Sequence, residues 1–228
     1  MVSLVPSVTE TLLAWGLTPV ACTRFCEQPD LPHVGGTKDP DVDAIVALAP
    51  DLVVMCVEEN RREDAGALAA AGLVTASLSV DSVQDVAPAL QMLAGLVGVD
   101  PAVVAAVDAG PAPPDAPRAF VPIWKRPWMT LSGGTYGSSL LAAAGVANVF
   151  ADAPDRYPTV TLDEARARHP DVVLAPSEPY PFGERHVPLL EEVAPVALVD
   201  GQDLFWWGSR TPAALARLRA QAPGWRGA

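Results

Sequence analysis

Short β-branched runs alternate with Ala- and Leu-rich amphipathic stretches along the whole chain. Apolar positions that switch in turn between strand period and helix period are the mark of parallel βαβ units. In the first half the pattern predicts strands at Val2–Val5, Val20–Thr23, Leu52–Cys56 and Val74–Ser77, with helices at Thr9–Trp15, Val42–Leu48, Arg61–Ala71 and Val83–Val97. Asp41 and Asp81 suit helix N-caps, because a short acceptor side chain can bind the free amides of a first turn. In the second half the strands fall at Ala119–Ile123, Val149–Phe150, Val172–Ala175 and Val196–Val199. The helices fall at Ser138–Ala144, Leu162–Arg168, Glu184–Val193 and Pro212–Ala220.

The two halves also resemble each other. At one constant offset, Asp43, Ala47, Pro50, Asp51, Val53 and Glu58 recur as Asp163, Ala167, Pro170, Asp171, Val173 and Glu178. Leu12 to Gly16 and Val20 match Leu141 to Gly145 and Val149 at a slightly different offset. Each Pro-Asp step ends a helix and launches a strand, since proline cannot continue a helix interior. A whole unit is therefore expected twice: an α/β lobe over 1–98 and another over 119–228, each with a parallel sheet and with a ligand cleft between them. Residues 99–118 are expected to connect them through a short helix at Ala102–Ala109, begun by Pro101, and a stiff Pro-rich linker from Gly110 to Pro117.

Charge narrows the partners. The formal net charge is -12, which repels nucleic acid phosphates and anionic membrane surfaces. No apolar run approaches membrane-spanning length, so no membrane insertion is expected. Three cysteines, an odd number, argue against a disulfide framework. The N-terminus shows no basic, apolar leader, and a cytoplasmic location is the expectation.

The opening Val2-Ser-Leu-Val-Pro-Ser-Val-Thr-Glu-Thr-Leu12 is similar to the start of the cobalamin- and ferric-siderophore-binding proteins of ABC importers. Val34-Gly-Gly-Thr-Lys-Asp-Pro-Asp41, Glu58-Glu-Asn-Arg-Arg-Glu-Asp64 and Ser177-Glu-Pro-Tyr-Pro-Phe182 resemble a leaderless branch of that superfamily, the helical-backbone metal receptors. The resemblance covers nearly the whole chain. It implies two Rossmann-like lobes joined by a long rigid helix, with a corrinoid, haem-like or chelated-metal ligand between them. Cobalamin or a metal chelate would then be the ligand, not a resident cofactor. The chain departs from the pattern in two places. The expected bridging helix is only about 12 Å long, at 1.5 Å per residue. The first of the two glutamates that dock such proteins on a permease falls at Arg62, with Glu63 beside it, which argues against an ABC permease as partner.

The residues themselves point to a site at strand ends, where ligands bind in open parallel sheets. Glu58 and Glu178 sit just past such ends, and could equally be solvated loop carboxylates. Trp124 and Trp128 flank Lys125-Arg126-Pro127, and Trp206 and Trp207 follow the last strand. Loops are a poor place for exposed tryptophan, so at least two of the four are expected to face the ligand, although they could instead cap the sheet as a satellite core. Lys38, Arg126 and Arg210 would pair with anionic groups, or be ordinary surface cations. Asn60, Tyr136 and Tyr180 complete the candidate ligand-binding set.

Metal and catalytic readings find less support. Cys22, Cys26, His33 and Cys56 are too loosely spaced for a zinc site, and Cys22 and Cys56 fall on expected buried strands. Leaderless relatives tend to place a histidine two residues after the cysteine matching Cys26; here that residue is Gln28. Gly36-Thr-Lys38 lacks the remaining spacing of a phosphate-binding loop, and no Gly-x-Ser-x-Gly elbow occurs. His169, before Pro170, is expected to face solvent, and His186 to begin a helix. The chain is thus read as a non-enzymatic small-molecule-binding protein of the cytoplasm. The alternatives are a transporter-coupled periplasmic receptor and an enzyme using the same cleft.

Overall fold

The computed structural model describes residues 1–104, 107 and 110–226. In chain order the first half forms β1 (Val2–Ser3), α1 (Pro6–Ala14), β2 (Ala21–Cys22), α2 (Val42–Ala47), β3 (Val53–Cys56), α3 (Arg62–Ala70), β4 (Thr75–Leu78) and α4 (Val83–Val97). The second half forms β5 (Arg118–Phe120), β6 (Trp124–Lys125), β7 (Trp128–Met129), α5 (Tyr136–Ala143), β8 (Ala147–Asn148), α6 (Leu162–Ala167), β9 (Val172–Pro176), α7 (Val187–Leu190), β10 (Val196–Val199), α8 (Gly201–Phe205) and α9 (Thr211–Gln221). The class is α/β with parallel sheets, as the alternating pattern requires. Among the described residues no helix is long and apolar enough to cross a membrane.

Both four-stranded sheets are parallel throughout and share one order. The first runs β2-β1-β3-β4, and the second, read from its other edge, runs β8-β5-β9-β10. In each sheet, the first strand in chain order is flanked by the second and third strands of that sheet. Val2 stands opposite both Ala21 and Val53, and Ala119 opposite both Asn148 and Val172.

The sequence repeat is therefore a structural repeat, and its matched residues do matched work. After α1, the Gly16 N–H donates to Leu13 O and the Leu17 N–H to Leu12 O. After α5, the Gly145 N–H donates to Ala142 O and the Val146 N–H to Leu141 O. Both glycines take the left-handed conformation, φ 76° and 82°, that this way of ending a helix needs. At the second matched segment, Asp41 caps α2 by accepting from the Ala44 N–H, and Thr161 caps α6 within a capping box completed by Glu164. Before the two Pro-Asp steps, Ala49 and His169 are both left-handed, φ 43° and 51°. A Cβ in that region is disfavoured by about 1–2 kcal/mol, so the tight reversal into the strand is imposed in both halves.

By contact the chain divides into two compact units. One comprises Met1–Val80, Asp85–Ala105 and Trp207–Ser209; the other comprises Asp81–Gln84, Ala106–Trp206 and Arg210–Ala228. The first unit packs Val2, Leu4, Ile45, Val53, Met55 and Leu68 into its core. The second packs Phe120, Phe150, Val173, Phe182 and Leu190. Burial of side chains of this size stabilises by about 1.5–3 kcal/mol each.

The structure departs from the sequence pattern at several points. The strand expected at Val149–Phe150 lies at Ala147–Asn148, because the Asn148 side-chain oxygen takes the Phe150 N–H and turns the chain out of the ladder. The helix expected over Glu184–Val193 is split into a 3-10 turn at Glu184–His186 and the short α7, with Pro188 lacking the N–H a continuous helix needs. The helix expected at 102–109 lies largely outside the described residues; what is described there is a 3-10 turn, Pro101–Val103, capped by Asp100. The β6–β7 hairpin and α8 were not legible in the pattern.

Candidate functional site

One pocket of about 550 Å³ opens on the second unit, lined by Trp124, Lys125, Arg126, Tyr180, Arg185 and His186. Two loops at strand ends build it. The first follows β5 and folds into the antiparallel β6–β7 hairpin, with Trp124 opposite Met129 and Lys125 opposite Trp128. It is tied down by the Thr130 hydroxyl, which donates to Val121 O at 2.7 Å, and by the Val160 N–H, which donates to Trp128 O. The second follows β9, running from Ser177 through Phe182 into the 3-10 turn. Both loops carry a cis X-Pro bond, Arg126-Pro127 and Glu178-Pro179.

Aromatic contacts lock the loops together. Trp124 meets Tyr180 edge-on with ring centroids 5.5 Å apart, and Trp128 stacks on Phe182 at 6.0 Å and 7°. Tyr180 and Phe182 lie 4.7 Å apart. Such pairs contribute about 0.5–1.5 kcal/mol each beyond their area. Phe182 belongs to the core and Trp128 packs against it, so Trp128 takes the satellite-core role. Trp124 is 44% exposed and keeps a face open to a ligand.

His186 sits behind this wall, 3% exposed, with its ring edge-on to Tyr180 and Phe182. Its Nδ1 accepts the Gly183 N–H at 3.2 Å, so the neutral ring carries its proton on Nε2. Burial, then the nearby Lys125 and Arg185 charges, push its pKa below the ordinary 6.5. The pocket therefore has three cations, a neutral imidazole donor and, among the described residues, no carboxylate in its lining.

Of the expected site residues, the structure gathers Trp124, Arg126 and Tyr180 here. Lys125, Arg185 and His186 join them, of which the sequence pattern gave His186 only as the start of a helix. Their one sequence signal was proximity: Lys125 lies between two candidate residues, and Arg185 and His186 follow the Tyr180 loop directly.

A second group of candidates forms a different cluster in the same unit. Buried Asp203 accepts from Arg217 Nε and Nη2, both at 2.6 Å, and from Arg210 Nη1 at 3.2 Å. Arg210 also donates to Gln202 Oε1 at 3.0 Å and lies over the Trp206 ring at 5.3 Å. Tyr136 hydrogen-bonds Thr211 at 3.0 Å, and burial first of all raises its pKa to about 12. Glu178 packs against Gly201, where any Cβ would meet the Glu178 backbone nitrogen at 2.5 Å.

The remaining candidates lie in the first unit. Lys38 Nζ donates to Glu58 O at 2.7 Å. Asn60 is buried: its side chain accepts the Cys56 N–H at 2.7 Å and donates to Leu4 O and Thr37 O, which fastens the loop after β3. Trp207, 3% exposed, has little surface to offer a ligand. The cysteines are buried and unbridged. Cys26 contacts the Thr9 and Thr23 hydroxyls. Burial is the largest cause that raises Cys22 to about 12 and Cys56 to about 11, which suits inert core thiols.

Comparison with known proteins bears on what this architecture is for. The vitamin B12-binding protein of Salmonella choleraesuis (strain SC-B67) is 26% identical over 188 residues, covering 76% of this chain and 71% of that protein. The solved periplasmic vitamin B12 binding protein BtuF of Vibrio cholerae superposes with a TM-score of 0.77 at 18% identity, covering 98% of this chain and 96% of its own. The periplasmic heme-binding protein RhuT from Roseiflexus sp. RS-1 superposes at 0.79 with 20% identity, covering 98% and 97%. These likenesses show a shared fold. The family model described as periplasmic binding protein matches residues 1–192. With that match spanning most of the sequence and both α/β units built as described, the chain belongs to the periplasmic binding protein family.

Proposed function

We propose that this chain binds a corrinoid, haem-like or metal-chelate ligand and performs no chemistry on it. The carrying observation is the aromatic corner of Trp124 and Tyr180, open onto a pocket of about 550 Å³ and edged by Lys125, Arg126 and Arg185. A flat conjugated ring lies well on such a corner, and the cations meet charge at its rim. The names of the relatives, vitamin B12-binding and heme-binding, support the ligand class.

The test is tryptophan emission titrated with cyanocobalamin and with haemin. Quenching at micromolar ligand is expected, corresponding to about -8 kcal/mol. Trp124→Ala and Tyr180→Ala should each weaken it at least tenfold. Titrations with both ligands that stay flat to millimolar concentration would overturn the proposal.

The proposal includes action in the cytoplasm without a permease. Arg61 and Arg62 are exposed at the start of α3, beside exposed Glu63. The docking glutamate implied by the family resemblance works by meeting arginines, and a cation there is repelled. Fractionation of the native host decides this. Recovery outside the cytoplasmic membrane, or co-purification with a permease, restores the importer role.

A further inference from the structure

The pocket's chemistry narrows the ligand further, in a step that depends on the reading just given. The chain has 27 acidic residues against 15 Lys and Arg, yet the pocket lining holds three of the cations and, among the described residues, no acid. The local charge thus runs against the bulk, and bulk electrostatics cannot account for attraction of an anion here. The hydrogen-bonding groups are just as one-sided. Lys125, Arg126 and Arg185 only donate. His186 has its Nδ1 lone pair occupied by the Gly183 N–H, so its remaining nitrogen donates as well. Trp124 has only an N–H, and Tyr180 supplies the one side-chain acceptor of the lining.

A ligand rimmed with primary amides needs acceptors for its N–H groups and finds a single hydroxyl oxygen among these side chains. A ligand rimmed with anionic oxygens needs donors and finds that all six lining side chains can supply them. Guanidinium forks match carboxylate or phosphate edge-on, with two parallel bonds. We infer that this pocket selects a planar conjugated ligand bearing at least two anionic oxygen groups, carboxylate or phosphate, over an amide- or ester-rimmed ligand of the same size.

The test uses the full chain and metal-free probes, so that coordination plays no part. Mesoporphyrin IX, with two carboxylates, is compared with its dimethyl ester by tryptophan quenching. The diacid should bind at least tenfold more tightly, although the net charge of the protein repels it. The variant Lys125→Gln/Arg126→Gln/Arg185→Gln should bring the diacid-to-ester affinity ratio to about one, its fold checked by an unchanged thermal midpoint. Inorganic phosphate that competes below about 1 mM marks a phosphate-type ligand, and failure to compete marks a carboxylate-type one. Equal binding of diacid and ester, or a preference that survives the triple variant, overturns the inference and leaves the binding role standing. Binding of neither porphyrin overturns the inference together with the haem-like reading, and the cobalamin titration then decides what remains of the proposal.

Discussion

Replacing Asp203 by Asn tests whether the buried carboxylate is the clamp that holds the C-terminal segment of the second unit. Asp203 accepts three hydrogen bonds from two arginines and is 7% exposed at its side chain. Asparagine keeps the volume but loses the charge, and turns an N–H₂ group toward a guanidinium. Charge-assisted hydrogen bonds contribute about 1.5–3 kcal/mol each when shielded. Arg217 is half exposed, so water replaces its partner and screening reduces its share to about 0.5–1 kcal/mol. The side chain of Arg210 is 17% exposed, so the loss of its bond to the carboxylate costs about 1.5–2.5 kcal/mol. The expected loss is therefore about 2–3.5 kcal/mol, equivalent to a fall of about 4–14 °C in Tm. Urea unfolding followed by tryptophan emission measures it. If Asp203→Asn costs less than about 1 kcal/mol, the clamp reasoning is wrong.

Three further outcomes follow from the geometry. The folded-state pKa of His186 lies below 6.5, so the unfolded chain binds the proton first; the stabilisation is complete above pH 6.5 and is lost as pH falls through the folded value. Urea midpoints at pH 7.5 and 5.5 should differ less in His186→Gln than in the parent, and an equal difference refutes this. Gly201→Ala should destabilise by about 2 kcal/mol or more, because the clash is with Glu178 backbone atoms and overpacking costs about 1–3 kcal/mol; thermal melts check it, and a neutral result would mean that the loop yields freely. Ala49→Gly and His169→Gly relieve a left-handed Cβ and should be neutral or stabilising by up to about 1 kcal/mol, so a loss above 1 kcal/mol in either variant, measured by urea unfolding, contradicts the matched-turn account.

The repeat was legible because it is written in residues with fixed backbone duties. Gly16 and Gly145 end helices in the same way, and Pro50 and Pro170 follow the same left-handed turn. The aromatic corner was half legible: Trp124, Arg126 and Tyr180 could be singled out, but tryptophan at a strand end does not reveal which neighbour covers it. Trp128 and Trp207 looked like Trp124 in the sequence, and tertiary packing alone placed Trp128 against Phe182 and buried Trp207. Asn60 and Arg210 carry groups that suit a ligand. The structure gives those groups to the Cys56, Leu4 and Thr37 backbone and to Asp203; Leu4 and Thr37 are distant in sequence, and Asp203 and Cys56, though near, are brought into reach only by the loop's folded path. The β6–β7 hairpin escaped notice because its strands are two residues long and its turn contains Pro127, which ordinarily argues against a strand.

The Gly183 N–H that occupies Nδ1 of His186 has a kinetic consequence. A ring nitrogen bonds a metal through its lone pair, and in this ring one lone pair is engaged and the other nitrogen is protonated. A ligand of the proposed class would then be held here by stacking and charge, with no imidazole–metal bond to break on departure. For micromolar affinity and an ordinary association rate of about 10⁵–10⁷ M⁻¹s⁻¹, residence times fall between about a tenth of a second and ten seconds. Under the proposed function, that timescale would suit handing a ligand onward rather than storing it.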